Sequence, residues 1–145
     1  MHIYQHTQRS RILLFIIIFV LLFMLFLMYR FGFNWIGTVV FILMVFALYL
    51  FNSLIVKISS DKIYVAFGSG IIRKNISFTS IKTAEKVRNK WYHGFGIRLI
   101  PGGQMYNVAG LDAIELNLTN GRVFRIGTDD PDKLLEVIKS QIRVK

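Results

Sequence analysis

Ile12-Leu13-Leu14-Phe15-Ile16-Ile17-Ile18-Phe19-Val20-Leu21-Leu22-Phe23-Met24-Leu25-Phe26-Leu27-Met28-Tyr29 is an unbroken run of eighteen apolar or aromatic residues. As an α-helix it extends about 27 Å, close to the hydrocarbon thickness of a bilayer. A second run, Trp35 to Phe51, follows after Arg30-Phe31-Gly32-Phe33-Asn34, and Gly37, Thr38 and Ala47 are its small residues. The link is long enough to turn an antiparallel helix pair and too short to hold a domain. Helices that are apolar on every face need lipid or a large protein around them, and the rest of the chain is too small to enclose both. The first run is longer than a secretory h-region, and no small-residue cleavage site follows Tyr29. The sequence therefore predicts a two-helix transmembrane hairpin within residues 12–52, with helices at about 12–29 and 35–51.

Outward from the hairpin the composition changes. Residues 52–145 hold all eight carboxylates and fifteen of the eighteen Lys and Arg of a 145-residue chain whose net charge is +10. Residues 1–11 read as a polar tail. Arg9 and Arg11 precede the first helix, Lys57 and Lys62 follow the second, and the connecting link carries only Arg30. The positive-inside rule then puts both termini in the cytoplasm and the chain in the plasma membrane as a multi-pass protein. Tyr29, Trp35 and Tyr49 suit interfacial anchors, although Tyr49 reads equally well as apolar filler. The chain has no cysteine, which excludes disulfides, thiolate metal sites and Cys nucleophiles.

Residues 53–145 read as a β-rich domain. Leu54–Ile58, Lys62–Phe67, Ile71–Ser77, Ile81–Arg88, Ile97–Ile100, Gln104–Val108, Ala113–Leu118 and Arg122–Ile126 are β-prone runs. They are separated by turn signals such as Gly68-Ser69-Gly70, Pro101-Gly102-Gly103 and Asn120-Gly121. Asp130 suits an N-cap, Pro131 a first helical position and Asp132 the positive end of a helix dipole. Leu134, Leu135, Ile138 and Ile142 then recur on one helical face. The expectation is an α+β membrane protein: the helix hairpin, then a bent antiparallel sheet or barrel of about seven strands, then a C-terminal helix.

Gly96-Ile97-Arg98, Tyr106-Asn107-Val108-Ala109-Gly110, Ala113-Ile114-Glu115-Leu116, Asn120-Gly121-Arg122 and Arg125-Ile126-Gly127-Thr128-Asp129-Asp130-Pro131 together resemble the bacterial pleckstrin-homology-like (PH-like) domain of small membrane proteins with an N-terminal helix hairpin. The resemblance covers residues 54–142. It implies a PH-like barrel capped by the C-terminal helix and no particular enzymatic activity. Phosphoinositide-binding relatives resemble one another in a long basic loop between the first two strands. Here that link is Ser59-Ser60-Asp61, so inositol-phosphate recognition does not carry over.

Four features bear on function. Arg73, Lys74, Lys82, Lys86, Arg88, Lys90 and Arg98 face a single carboxylate, Glu85, across residues 71–98. Strand alternation places Lys82, Lys86 and Arg88 on one outward face. That stripe reads either as a surface for anionic lipid headgroups or a membrane protein partner, or as a solvated face. Glu85 falls on the opposite face, with Arg98 a candidate partner. Second, Trp91-Tyr92-His93-Gly94-Phe95-Gly96 reads as an interfacial aromatic loop or as rings packed over one mouth of the barrel. Third, His2 and His6 stand four apart but lack a third ligand, so they read as tail and no metal is expected. Fourth, Asp129, Asp130 and Asp132 are explained by a helix start. Neither hydrophobic span contains an ionisable group, and such groups mark ion or proton pathways. The sequence thus points to a non-enzymatic module binding anionic lipid or a protein partner at the membrane. It needs no cofactor or small-molecule substrate. Nucleic acid is disfavoured despite the charge, because no helix-turn-helix or RNA-binding signature is present. The alternative is a structural subunit of a membrane complex joined through the helix pair, where Gly37 and Thr38 would allow close approach.

Overall fold

The computed structural model describes residues 3–143. Its elements are β1 (Tyr4–Arg9), α1 (Arg11–Phe31), α2 (Trp35–Phe51), β2 (Ser53–Ile58), β3 (Lys62–Phe67), β4 (Arg73–Ser77), β5 (Ile81–Arg88), β6 (Gly96–Ile100), β7 (Gly103–Asn107), β8 (Asp112–Leu118), β9 (Val123–Gly127) and α3 (Pro131–Arg143). All eight β-prone runs form strands, and both apolar runs form helices. His2 and Lys145 lie outside the described residues.

The helix pair is defined by its caps. The Ser10 hydroxyl accepts the Leu13 N–H at 3.1 Å and starts α1. Asn34 restarts the chain as α2 by accepting the N–H groups of Ile36 and Gly37 at 2.9 and 3.5 Å. Neither helix contains a buried residue. α1 is long and apolar enough to cross a membrane, whereas α2, at 17 residues, is shorter. Gly37 meets no second helix: a Cβ there would find only the Asn34 Cβ, at 3.9 Å. Thr38 turns its hydroxyl to the Asn34 carbonyl.

Residues 4–9 are not a tail. β1 pairs antiparallel with β2, from Tyr4 opposite Ile58 to Arg9 opposite Ser53. The strand entering α1 and the strand leaving α2 are thus neighbours in one sheet. This fixes both ends of the helix pair on the same side. The alternation of Tyr4 and Gln8 as buried residues fits a strand with one face inward. Gln8 is tolerated in the core because its amide donates to the Ala109 carbonyl at 3.0 Å.

The first sheet runs β1-β2-β3-β4 and the second β5-β8-β9-β7-β6. All pairings are antiparallel except β7 with β9. Of the bent sheet or barrel expected, the closed barrel does not form. β7 occupies the edge of β9, so the second sheet grows outward to β6. Close approach of β7 and β9 requires Gly103, where a Cβ would overlap the Val123 carbonyl oxygen. The core lies between the sheets and under α3, with Ile58, Ile63, Val65, Ile114, Leu116 and Ile126 meeting Leu134 and Ile138. Each such fully buried aliphatic side chain stabilises the fold by about 1.5–3 kcal/mol. α3 starts at Asp130, whose carbonyl accepts the Leu134 N–H at 3.2 Å.

β5 corrects a second expectation. Its register shifts between Ile81 and Thr83, a bulge that places Lys82 outside the ladder. Ile81 and Ala84 are consequently both buried. Lys86 pairs with Ile114, so it shares the core-side face at its margin. There its Nζ donates to the Asp132 carboxylate of α3 at 2.8 Å. Lys82, Lys86 and Arg88 therefore do not form one outward stripe.

Candidate functional site

The most distinctive region is the base of the helix pair, where both helices enter the domain. Asn52 alone separates α2 from β2. The β3–β4 turn abuts the end of α2: a Cβ on Gly68 would lie 2.6 Å from the Leu50 carbonyl oxygen and 2.8 Å from that of Tyr49. Gly68 also donates its N–H to the Ser53 carbonyl at 2.8 Å. Aromatic rings continue the contact inward. Phe51 of α2 meets Phe67 edge-on at 5.2 Å, Phe67 meets Tyr106 at 5.0 Å, and Tyr106 meets Phe124 at 5.0 Å. These spacings are those of favourable ring pairs. The helix pair is thus keyed into the core through a stack of side chains.

Around this base the domain exposes large apolar groups. Ile71, three residues past Gly68, is 65% exposed. Trp91 is 81% and Tyr92 59% exposed. The rings of the aromatic loop therefore do not cover a barrel mouth. They stack edge-on with one another at 5.9 Å, and the Lys90 ammonium lies 5.7 Å from the Tyr92 ring centre. The same loop runs on beside the helices. Phe95, Ile97 and Arg98 line a cleft of about 500 Å³ with Leu13 and Ile17 of α1 and with Ala47 and Phe51 of α2.

The basic residues fall into three places. Arg73 and Lys74 open β4, beside the Gly68–Ile71 turn. Arg88, Lys90 and Arg98 surround the aromatic loop, with Arg98 packed against Gly94. Lys82 lies at the opposite end of β5, about 20 Å from Arg88 along an extended strand. It lines a cleft with Asn117 and Arg122. Arg122 also lines the neighbouring cleft with Lys74 and Leu99. The sequence carries no sign that Arg122 joins the basic candidates; the Asn120-Gly121 turn places it in clefts shared with Lys82 and with Lys74. Among the described residues, Lys86 is the one of these candidates with an ion-pair partner. The hydrogen bond from Lys86 to Asp132 raises the lysine pKa above its ordinary value.

The pairing proposed for Glu85 is also corrected. Arg98, Met105, Arg125, Glu115 and Glu85 form one row across the second sheet. Arg125 Nε donates to Glu115 at 2.5 Å, and its guanidinium reaches Asn89 Oδ1 at 3.3 Å. Glu115, directly beside Arg125, takes the ion pair, and Glu85 at the sheet edge stays exposed. His6 meets Asp129 at 2.5 Å, tying β1 to the start of α3. Among the described residues, no cluster of His, Asp and Glu is arranged to hold a metal ion.

No family model matches the chain, and no curated protein or solved structure matches it either.

Proposed function

We propose that the protein is a non-enzymatic, membrane-anchored PH-like module that binds anionic lipid at the cytoplasmic face of the plasma membrane. In this reading α1 and α2 cross the bilayer together as a hairpin, α2 using its aromatic ends and the flanking residues to make up its length. The observation that carries the proposal is the meeting of two kinds of side chain at the helix base. Exposed Ile71 stands next to Arg73 and Lys74 after the β3–β4 turn, and exposed Trp91 and Tyr92 stand among Arg88, Lys90 and Arg98 in the loop that runs on to the helices; none of these cations has an ion-pair partner among the described residues. Apolar groups suit the acyl boundary, and each cation near an anionic leaflet contributes about 1 kcal/mol. The basic residues flanking the helices, against Arg30 alone at the link, favour the cytoplasmic side.

The PH-like reading is supported by connectivity. β1 to β4 form one meander, β5, β8 and β9 a second, and α3 follows. The β6–β7 hairpin then becomes an addition to the second meander, and it carries Arg98 to the helix base.

The test is hydrogen exchange of the full chain in lipid nanodiscs. With phosphatidylglycerol present, amides of residues 70–75 and 89–98 should slow, and raised salt should reverse the effect. Exchange that is indifferent to both lipid charge and salt would refute anionic-lipid binding.

A further inference from the structure

A second cleft lies at the start of α1, outside the surface just described. It has a volume of about 440 Å³. Arg9 and Arg11 line it from the β1–α1 junction, and Asp112 and Asp129 line it from β8 and the loop before α3. Opposite charges thus meet across one cleft without neutralising each other. Arg9, Arg11 and Asp112 have no ion-pair partner among the described residues, and Asp129 bonds His6 through one carboxylate oxygen. Gln8 also lines the cleft and is 3% exposed. Its Nε2 is used by the Ala109 carbonyl, but its buried Oε1 has no donor among the described residues. A buried acceptor without a donor is costly, and a bound ligand that donates to it removes the cost.

Phe95 lines this cleft and also the apolar one between the helices and the Gly94–Arg98 segment. Ile12 lies in the first cleft and Leu13 in the second. A charged chamber therefore adjoins an apolar groove along the helix pair, and the division follows the shape of a phospholipid. We infer that this pair of clefts is a binding site for phosphatidylethanolamine. The lipid phosphate sits at Arg9 and Arg11, and the primary ammonium donates to Asp112, Asp129 and Gln8 Oε1. The acyl chains follow Leu13, Ile17 and Phe51. A purely anionic headgroup would leave both carboxylates and Gln8 unmatched. A quaternary ammonium keeps the charge but has no N–H to donate to Gln8.

The inference rests on the membrane reading above, and its test separates the two. Carbonate extraction of membranes first shows whether the full chain is integral; release into the wash would overturn the membrane reading and this site with it. Native mass spectrometry of the full chain in detergent then compares phosphatidylethanolamine, phosphatidylcholine and phosphatidylglycerol with identical acyl chains. Phosphatidylethanolamine should bind about tenfold more tightly than phosphatidylcholine, and phosphatidylglycerol reports the separate basic surface at the helix base. Asp112→Asn should bring phosphatidylethanolamine to the level of phosphatidylcholine and leave phosphatidylglycerol unchanged, and Arg11→Gln should weaken both zwitterionic lipids, with both variants checked for an unchanged melting temperature. If either variant is unstable, the headgroup ranking of the native chain decides. Equal binding of phosphatidylethanolamine and phosphatidylcholine would overturn the site while leaving the anchor intact. Soluble phosphoethanolamine at equal concentration should not displace the lipid; if it does, the ligand is the free headgroup and the lipid assignment falls.

Discussion

Substitution of Gly68 by alanine tests whether the domain and the helix pair form one unit. Gly68 has φ +45°, in the left-handed region where any Cβ is strained. Forcing alanine into that region costs about 1–2 kcal/mol. A Cβ there would also meet the Leu50 and Tyr49 carbonyl oxygens at 2.6 and 2.8 Å. These oxygens belong to a helix backbone, which cannot turn aside as a side chain can. Displacing packed groups of this kind costs about a further 1–3 kcal/mol. Gly121 provides the control. Its φ is +78°, and nothing lies within 4 Å of a Cβ placed there. Gly121→Ala should therefore cost the backbone strain alone, and Gly68→Ala that strain plus the contact. For a domain of this size each 1 kcal/mol lowers the melting temperature by about 4–8 °C. Thermal unfolding of the full chain in mild detergent, followed by near-UV circular dichroism, should show Gly68→Ala melting at least about 5 °C below Gly121→Ala. Equal melting temperatures would refute the close approach of the β3–β4 turn to α2.

Other substitutions address the core and its polar groups. Tyr4 is buried near Asp130 and Asp129, and burial first, then these carboxylates, pushes its pKa up to about 12 from 10.0. The folded state thus holds the phenolic proton more tightly, so Tyr4 contributes stability that is complete below pH 10 and lost as pH rises to about 12. Its hydroxyl has no hydrogen-bond partner among the described residues; Tyr4→Phe should leave stability at pH 7 unchanged or slightly raised and flatten the alkaline loss in urea titrations. Glu115→Gln should destabilise by about 1–3 kcal/mol in the same titrations, because it leaves the half-buried Arg125 without its carboxylate. Ile138→Ala, which opens a cavity where α3 packs on β5 and β8, should cost about 2–5 kcal/mol. Gly103→Ala should unpair β7 from β9, read as faster exchange of amides 103–107 with little change in β1–β4.

The elements legible in the sequence were those with strong local signals. Two long apolar runs, turn-bounded β-prone segments and a capped amphipathic helix all stand where their residues placed them. β1 was not legible, because Tyr4-Gln5-His6-Thr7-Gln8-Arg9 has one large apolar residue. Its strand is fixed by a partner that follows the hairpin, and no local pattern reports pairing over that separation. The open second sheet was equally hidden, since the parallel β7–β9 contact depends on Gly103 meeting Val123. At the candidate site the aromatic loop and most of its cations were readable as types. Their grouping was not, because one bulge at Lys82 rotates the strand and Asp132 takes up Lys86. The charged cleft at α1 escaped notice because Arg9, Asp112 and Asp129 come from three distant parts of the chain.

The central claim, that the helix base of the domain rests in the membrane interface, is tested most directly by its immersion depth. The natural chain has no cysteine, so Ile71→Cys, Trp91→Cys and Ser60→Cys each place a single spin label on the full chain. Ser60 lies in the β2–β3 turn, at the far end of β2 from the helices. In proteoliposomes, labels at 71 and 91 should collide more with oxygen than with a water-soluble nickel chelate, and the label at 60 should show the reverse. Labels at 71 and 91 as accessible to the nickel chelate as the label at 60 would contradict the account.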